Sequence, residues 1–426
     1  MLFYKRGSEI DKITSDDLKT GLYSALDKLG KKKKVIVLPP DFTRFHSRAG
    51  ELTRYVFDYY QDKLTDILPA LGTHKPMTSH DIKKMFPGVP DHLFRVHDWR
   101  NGFTTLGTVS AKFIRSISEK RVDYDWPAQV STLLVKGDYD LLLSIGQVVP
   151  HEVAGMANYN KNIFVGTGGA EGINKSHFLG AAYGMERIMG RIDNPVRQVL
   201  NYASENFAKH LPIIYVLTVV GKNEKDNLVV RGLFIGDDIE CFKLASELSL
   251  KVNFEMLDEP LQKVVVYLDP AEFKSTWLGN KSIYRTRMAI ADGGELIVLA
   301  PGLKEFGEDN QMDRLIRKYG YVGTPRILEL VKQNKDLQQN LGAAAHLIHG
   351  SSESRFSITY CLGNLNREEI EQVGFKYADL NKMMKKYNPN ELKDGINTMP
   401  DGEKVFYISN PAIGLWAHKD HFKRLN

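Results

Sequence analysis

His151-Glu-Val-Ala-Gly-Met-Ala-Asn-Tyr-Asn-Lys161-Asn-Ile-Phe-Val-Gly-Thr-Gly-Gly-Ala-Glu-Gly-Ile-Asn-Lys-Ser-His177 sets two histidines, one central lysine and a glycine-rich run, with four glycines from Gly166 to Gly172, between apolar segments. Just before it, Leu141-Leu-Leu-Ser-Ile145 reads as a buried strand. Within it, Ile163-Phe-Val165 reads as a second strand, with a helix expected over 176–189. A glycine-rich turn between a strand and a helix lets backbone N–H groups approach a phosphate or nucleotide closely. The stretch is therefore read as the bed of a cofactor site, with tight-turn glycines as the plainer alternative. The spacing is not that of the dinucleotide fingerprint.

Outward from this stretch, short apolar runs alternate with helical spacing. Val35-Ile-Val-Leu38 is a β-branched run stopped by Pro39-Pro40. Residues 48–64 repeat apolar residues at helical spacing, and 66–71 read as another strand. Thr78-Ser-His-Asp81 fits a capping box ahead of a short helix. Residues 212–220 and 228–235 read as an antiparallel pair at a sheet edge, followed by a helix over 238–256. The pattern restarts after Glu259-Pro260, with strands at 264–268, 296–299, 356–360 and 405–408. Helices are expected at 284–291, 308–318, 325–348 and from 368. Residues 100–130 are mixed. Alternating strands and helices predict an α/β protein of two domains, each a mostly parallel sheet flanked by helices, with the site in the cleft between them. The boundaries expected are 1–260 and 261–404, with 405–426 returning to the first domain.

The totals agree with this reading. A chain of 426 residues is too long for one ordinary core. With 42% hydrophobic and 26% charged residues, it has the composition of a globular protein. A net charge of +5 permits anionic small substrates but is too scattered to argue for nucleic acid. Lys31 to Lys34 read as a solvated lead-in to a strand. Cys241 and Cys361 are the two cysteines and imply no disulfide framework. The N-terminus has no long apolar core, so no membrane span is expected and a cytoplasmic location is the default.

In open parallel sheets, ligands bind beyond the carboxyl ends of the strands. Asp41-Phe-Thr43-Arg44, Gly72-Thr-His74 and Gly146-Gln-Val-Val-Pro-His151 each follow a predicted strand there. Asp41 and Arg44 read either as a local ion pair or as an anion grip. His74 and His151 either satisfy backbone groups or carry protons near neutral pH. Lys161 is an exposed lysine or a nucleophile, and His177 a packing residue or a ligand. No zinc spacing, nucleophile elbow or Walker loop is present.

Taken together, Asp41-Phe-Thr-Arg44, Gly72-Thr-His74, His151, Lys161 ten residues on, and His177 resemble the nickel-dependent lactate racemase family in order and spacing. The resemblance runs over most of the chain and is most specific between 35 and 190. It implies a nickel-pincer nucleotide as cofactor, tethered by Lys161, with His177 as the protein ligand to nickel and Asp41 and Thr43 supporting it. It implies His74 and His151 as the acid/base pair and Arg44 as the grip on the substrate carboxylate. The implied reaction inverts C2 of a 2-hydroxy acid by moving a hydride to the cofactor and back, through a 2-keto acid. The implied partners are that small molecule and the enzymes that build the cofactor, with no nucleic acid and no membrane.

The later residues depart from the lactate pattern. In Ile283-Tyr284-Arg285-Thr286-Arg287, Arg285 stands where the family carries glutamine, and Arg287 is the candidate for the family's substrate-binding lysine. Ala343-Ala-Ala-His346-Leu-Ile-His349 lacks the tryptophan placed over lactate. Smaller residues and extra donors fit a longer, hydroxylated acid such as an aldonate. A nicotinamide-type 2-hydroxy acid dehydrogenase and a non-catalytic nickel- or nucleotide-binding protein are the alternatives.

Overall fold

The structure, a computed structural model, describes residues 1–224 and 227–424. It divides into two compact units, one of residues 1–179 and 188–253, the other of 180–187 and 254–426.

The strands of the first unit are β1 (Leu2–Gly7), β2 (Val35–Leu38), β3 (Leu64–Ile67), β4 (Phe103–Val109), β5 (Trp126–Ser131), β6 (Leu141–Gln147), β7 (Pro150–His151), β8 (Gly155–Met156), β9 (Ile213–Lys222) and β10 (Leu228–Gly236). Its helices are α1 (Ser15–Leu29), α2 (Ala49–Tyr60), α3 (Ser79–Met85), α4 (Ala111–Ile117), α5 (Thr132–Lys136), α6 (Ala170–Tyr183), α7 (Pro195–Asn206) and α8 (Ile239–Asn253). The main sheet runs β1-β10-β9-β6-β2-β3. The pairs from β9 to β3 are parallel, and β1 and β10 add antiparallel strands.

Alternation decides which face each strand residue serves. Val35, Val37, Leu141, Leu143 and Ile145 pack against Leu18, Leu22 and Leu26 of α1 and Leu52 and Val56 of α2 in one core. The other face of β2 and β6 receives the 158–166 segment. There Asn162 donates its side-chain amide to the Leu38 carbonyl at 3.1 Å and to Ser144 Oγ at 2.9 Å. Asn158 lies so close that a Cβ at Gly146 would meet its Nδ2 at 2.2 Å.

The predicted strands at 35–38 and 141–145 are present, and so is the Thr78–Asp81 capping box, closed in both directions. The strand expected at 66–71 lies at Leu64–Ile67, because Pro69 cannot donate to a ladder. Three expectations fail. Ile163–Val165 is no strand: Asn162–Gly166 is a wide helical turn, and so short an apolar run looks the same in either conformation. The helix expected over 176–189 begins six residues earlier, so Gly172 lies inside α6. The β9–β10 pair is antiparallel as expected, but β1 covers it and forms the sheet edge. The mixed region holds an antiparallel pair, β4 with β5.

In the second unit the strands are β11 (Phe254–Leu257), β12 (Leu261–Tyr267), β13 (Ile290–Ala300), β14 (Ser357–Leu362), β15 (Lys376–Asp379), β16 (Gly395–Thr398), β17 (Lys404–Ile408) and β18 (Leu415–His418). Its main sheet runs β15-β14-β13-β12-β17-β16, parallel except for β16. β17 lies between β12 and β16, so the last predicted strand stays in this unit rather than returning to the first. The helix expected over 325–348 is broken into Thr324–Gln333, Lys335–Gln338 and Leu341–His349. The helix expected at 284–291 is Lys281–Thr286, and β13 takes over from Ile290. Among the described residues, no helix is long and apolar enough to cross a membrane.

Candidate active site

β6, β2 and β3 are parallel neighbours, so the residues following them leave the sheet at one rim. Beyond β2, Asp41 caps the turn Phe42–Ser47 by accepting from the Thr43 N–H at 3.1 Å and from Thr43 Oγ1 at 2.5 Å. Its other oxygen, Oδ2, lies 2.6 Å from His74 Nδ1. Asp41 is 5% exposed. Burial alone would raise its carboxyl, but the charge and hydrogen bond of His74, the bond from Thr43 and the charge of Arg44 outweigh burial and hold it at about 2. An ionised Asp41 accepts from Nδ1, which makes Nε2 the His74 atom that carries a lone pair whenever the ring is neutral. The Gly72-Thr-His74 turn is tied down where the Gly72 N–H donates to the Gly166 carbonyl at 2.8 Å.

Beyond β6, His151 is 5% exposed. The Val153 N–H donates to its Nδ1 at 3.1 Å, so the neutral ring carries its proton on Nε2, 3.8 Å from Glu152 Oε1. The two rings are thus held in opposite tautomers.

Lys161 stands at the start of the Asn162–Gly166 turn, between two buried asparagines. Its side chain is half-buried and makes no hydrogen bond or ion pair among the described residues. Desolvation, then the charge of Arg44, lowers its amine to about 8; Arg197 also lowers it, while Glu152 and Asp41 oppose. His177, half-buried on α6, donates Nδ1–H to the Ile173 carbonyl at 2.7 Å, which leaves Nε2 as a lone-pair donor. Desolvation keeps this ring neutral, the bond to Ile173 opposes, and Lys161, Glu152 and His74 also act on it. Asp41, Arg44, His74, Glu152, Lys161 and His177 therefore form one electrostatic cluster in the first unit. Among the described residues, no three His, Cys, Asp or Glu side chains group as a metal site.

Two members were missed from sequence. Glu152 adjoins His151, and that adjacency was the available signal. Arg197 lies on α7, thirty-six positions beyond Lys161, and no local pattern marks it.

In the second unit, Tyr284 and Arg285 are buried on the helix Lys281–Thr286. Arg285 Nη1 donates to the Gly414 carbonyl at 3.4 Å. Arg287 is buried too, its Nε 2.7 Å from Glu186 Oε1 and its Nη1 3.1 Å from the Ser351 carbonyl. Glu186 also meets His421 at 2.5 Å and Arg355 at 3.3 Å. Both guanidinium groups are buried rather than solvated. His346 stacks on Trp277 at 4.4 Å and bonds Tyr321 Oη at 2.9 Å. Burial, then His349, pushes His346 down to about 3.

These elements define an α/β protein of parallel-rich sheets, with Asp41, His74 and His151 each following a parallel strand. Residues 19–187 match the family model of the lactate racemase N-terminal domain. A protein from Thermotoga maritima, solved as a structural-genomics target, superposes with a TM-score of 0.82 at 25% identity, over 97% of this chain and 100% of that one. The lactate racemase apoprotein from Thermoanaerobacterium thermosaccharolyticum superposes with a TM-score of 0.69 at 18% identity, over 97% of this chain and 94% of that one. At that identity the second likeness speaks for the fold. No curated protein matches the chain by sequence. The match to that domain model supports a racemase-type function on a small molecule.

Proposed function

We propose that the protein inverts C2 of a 2-hydroxy acid with the help of a nickel-pincer nucleotide. The observation that carries this reading is His177. Its ring is neutral, its Nδ1 is fixed by Ile173, and its Nε2 lone pair lies within the electrostatic reach of Lys161, Glu152 and His74.

The residues present fit such a group. A single imidazole suits a metal that brings its remaining donors with it, and an imidazole beside soft donors suits nickel. An amine lowered to about 8 is in part neutral at physiological pH, as a lysine that forms a covalent bond must be. In this reading Lys161 tethers the nucleotide, His177 ligates its nickel, and Asp41 and Thr43 fix the turn beside it. When bound, the cofactor supplies a hydride acceptor.

The chain's own residues do the proton work. His74, oriented by Asp41, accepts the 2-hydroxyl proton at Nε2. His151 donates a hydrogen bond from its Nε2–H. Inversion of the other enantiomer needs these roles exchanged. Arg44 makes no side-chain hydrogen bond or ion pair among the described residues, and its planar fork suits the substrate carboxylate. Tyr284 and Arg285 are proposed for the substrate's remaining groups. Arg287, held by Glu186 and the Ser351 carbonyl, is proposed to position them.

The substitutions at 285 and 343–345 favour an aldonate over lactate. Chiral assays of the nickel-loaded protein on lactate and on gluconate-type acids test this. Epimerisation of the sugar acid with little lactate turnover is expected; rapid lactate racemisation with inert sugar acids would reverse the preference.

A further inference from the structure

The segment that delivers Lys161 is bent in a way its sequence does not favour. Asn158 and Tyr159 both take left-handed backbone, with φ of 64° and 57°. Tyrosine is a poor resident of that region, and each such residue costs about 1 kcal/mol or more. The surroundings therefore have to impose the bend. Gly155, just upstream, also has positive φ, and a Cβ there would meet the Arg191 carbonyl oxygen at 1.9 Å.

Arg197 holds this segment. It is 1% exposed on α7. Its Nη2 donates to the Met156 carbonyl at 2.6 Å and reaches the Ala154 carbonyl at 3.5 Å. Its Nη1 donates to Asn160 Oδ1 at 2.5 Å and reaches the Asn158 carbonyl at 3.4 Å. The guanidinium lies 4.4 Å from the centre of the Phe242 ring, on which Tyr159 stacks at 5.0 Å. Asn160 is held from its other end by Asn201 Oδ1 at 2.7 Å. Every acceptor on this cation is a neutral amide or carbonyl, so its positive charge is not cancelled locally. A planar fork reaching four acceptors of one loop is a task for arginine, which lysine's point charge cannot repeat.

We propose that Arg197 is a positioning residue for Lys161: its guanidinium clasps the 154–160 loop, fixes the left-handed Asn158–Tyr159 step, and so presents the lysine amine as a nucleophile. The proposal rests on the reading of Lys161 as the cofactor's tether, and adds which residue makes the tether competent. The charges around Lys161 give the direction of the effect. Desolvation, then Arg44, lowers the amine; Arg197 adds to this, and Glu152 and Asp41 oppose. Burial lowers Arg197 itself to about 9, which leaves it cationic at neutral pH, with Tyr159 and Tyr215 opposing.

The test is carbamylation of Lys161 by cyanate in the full chain without cofactor, followed against pH by peptide mass. Wild type should react with a midpoint at about 8. Return to the ordinary lysine value would cut the neutral amine at pH 7.5 roughly 200-fold, and Arg197→Met should lose at least about tenfold in rate there. Arg197→Lys, which keeps a charge and loses the fork, should also react more slowly and lose amide exchange protection at 157–161. Glu152→Gln should move the midpoint the other way, downward. If Arg197→Met does not fold, Arg197→Lys and Glu152→Gln still decide the matter. A folded Arg197→Lys with wild-type labelling and wild-type exchange overturns the proposal. So does a variant with lowered thermal stability and an unmoved midpoint, since that is a structural role alone. No cofactor enters this experiment. Slower labelling in the variants alongside a wild-type protein that never acquires a nucleotide would sink the proposed function and leave the role of Arg197 standing.

Discussion

Replacing Asp41 by asparagine should remove the base without removing the ring. In wild type one Asp41 oxygen accepts both Thr43 donors and the other faces His74 Nδ1 at 2.6 Å. In Asp41→Asn the amide oxygen stays with Thr43, because both Thr43 groups are donors. The amide NH₂ then faces His74 and donates to Nδ1. The ring's proton moves to Nε2, where the lone pair was needed. Misplacing a catalytic histidine tautomer costs general-base catalysis of about 10²–10⁴-fold, which is the fall expected in kcat. The drop of the Asp41 carboxyl from 3.8 to about 2 corresponds, at roughly 1.4 kcal/mol per pH unit, to about 2 kcal/mol of stability. Because the folded value is depressed, that contribution is fully present above pH 3.8. It is lost as the pH falls through about 2. Nitrogen-15 NMR of the histidines reads the tautomer, chiral assay reads kcat, and urea unfolding at pH 7 and pH 3 reads stability. Unchanged kcat with His74 still protonated on Nδ1 would refute the reasoning.

Three further outcomes are expected. His177→Ala should lose nickel by elemental analysis while the mass added at Lys161 persists; retained nickel would assign the ligand elsewhere. Gly155→Ala places a Cβ 1.9 Å from a carbonyl oxygen at φ +76°, and should cost about 3 kcal/mol or more in urea unfolding. Glu186→Gln acts in the second unit. Burial would raise Glu186, but His421 and Arg287 hold it at about 2 against an ordinary 4.5. The variant should lose up to about 3 kcal/mol at neutral pH, and the difference should close as the pH falls from 4.5 towards 2. A pH-independent difference would mean the carboxylate charge is not what stabilises.

The sequence was most legible where chemistry and chain order coincide. Val35–Leu38 and Leu141–Ile145 are bounded by proline, glycine and polar residues, and the polar groups after them follow from the strand ends. Thr78 and Asp81 announce their helix because a capping box is a local exchange of two hydrogen bonds. Legibility fails where a tertiary contact decides. Ile163–Val165 has the composition of a strand, but Asn162, bonded to Leu38 and Ser144, winds it into a turn. The asparagines beside Lys161 suggested solvent exposure and are instead buried anchors, Asn160 at 0% and Asn162 at 7%. Arg197 reaches the site from a distant helix, and its partners are backbone carbonyls that carry no residue signature. β1 escaped because Leu2–Gly7 has no clear alternation and gains its place only by pairing with β10.

The central claim is that Lys161 and His177 hold an organometallic nucleotide between them. Intact and peptide mass of the full chain, produced beside the enzymes that build the nickel-pincer nucleotide, tests it most directly. The account predicts a nucleotide-sized addition localised to Lys161, with about one nickel retained per chain under native conditions. An unmodified Lys161 in a nickel-free protein from the same cells would contradict it.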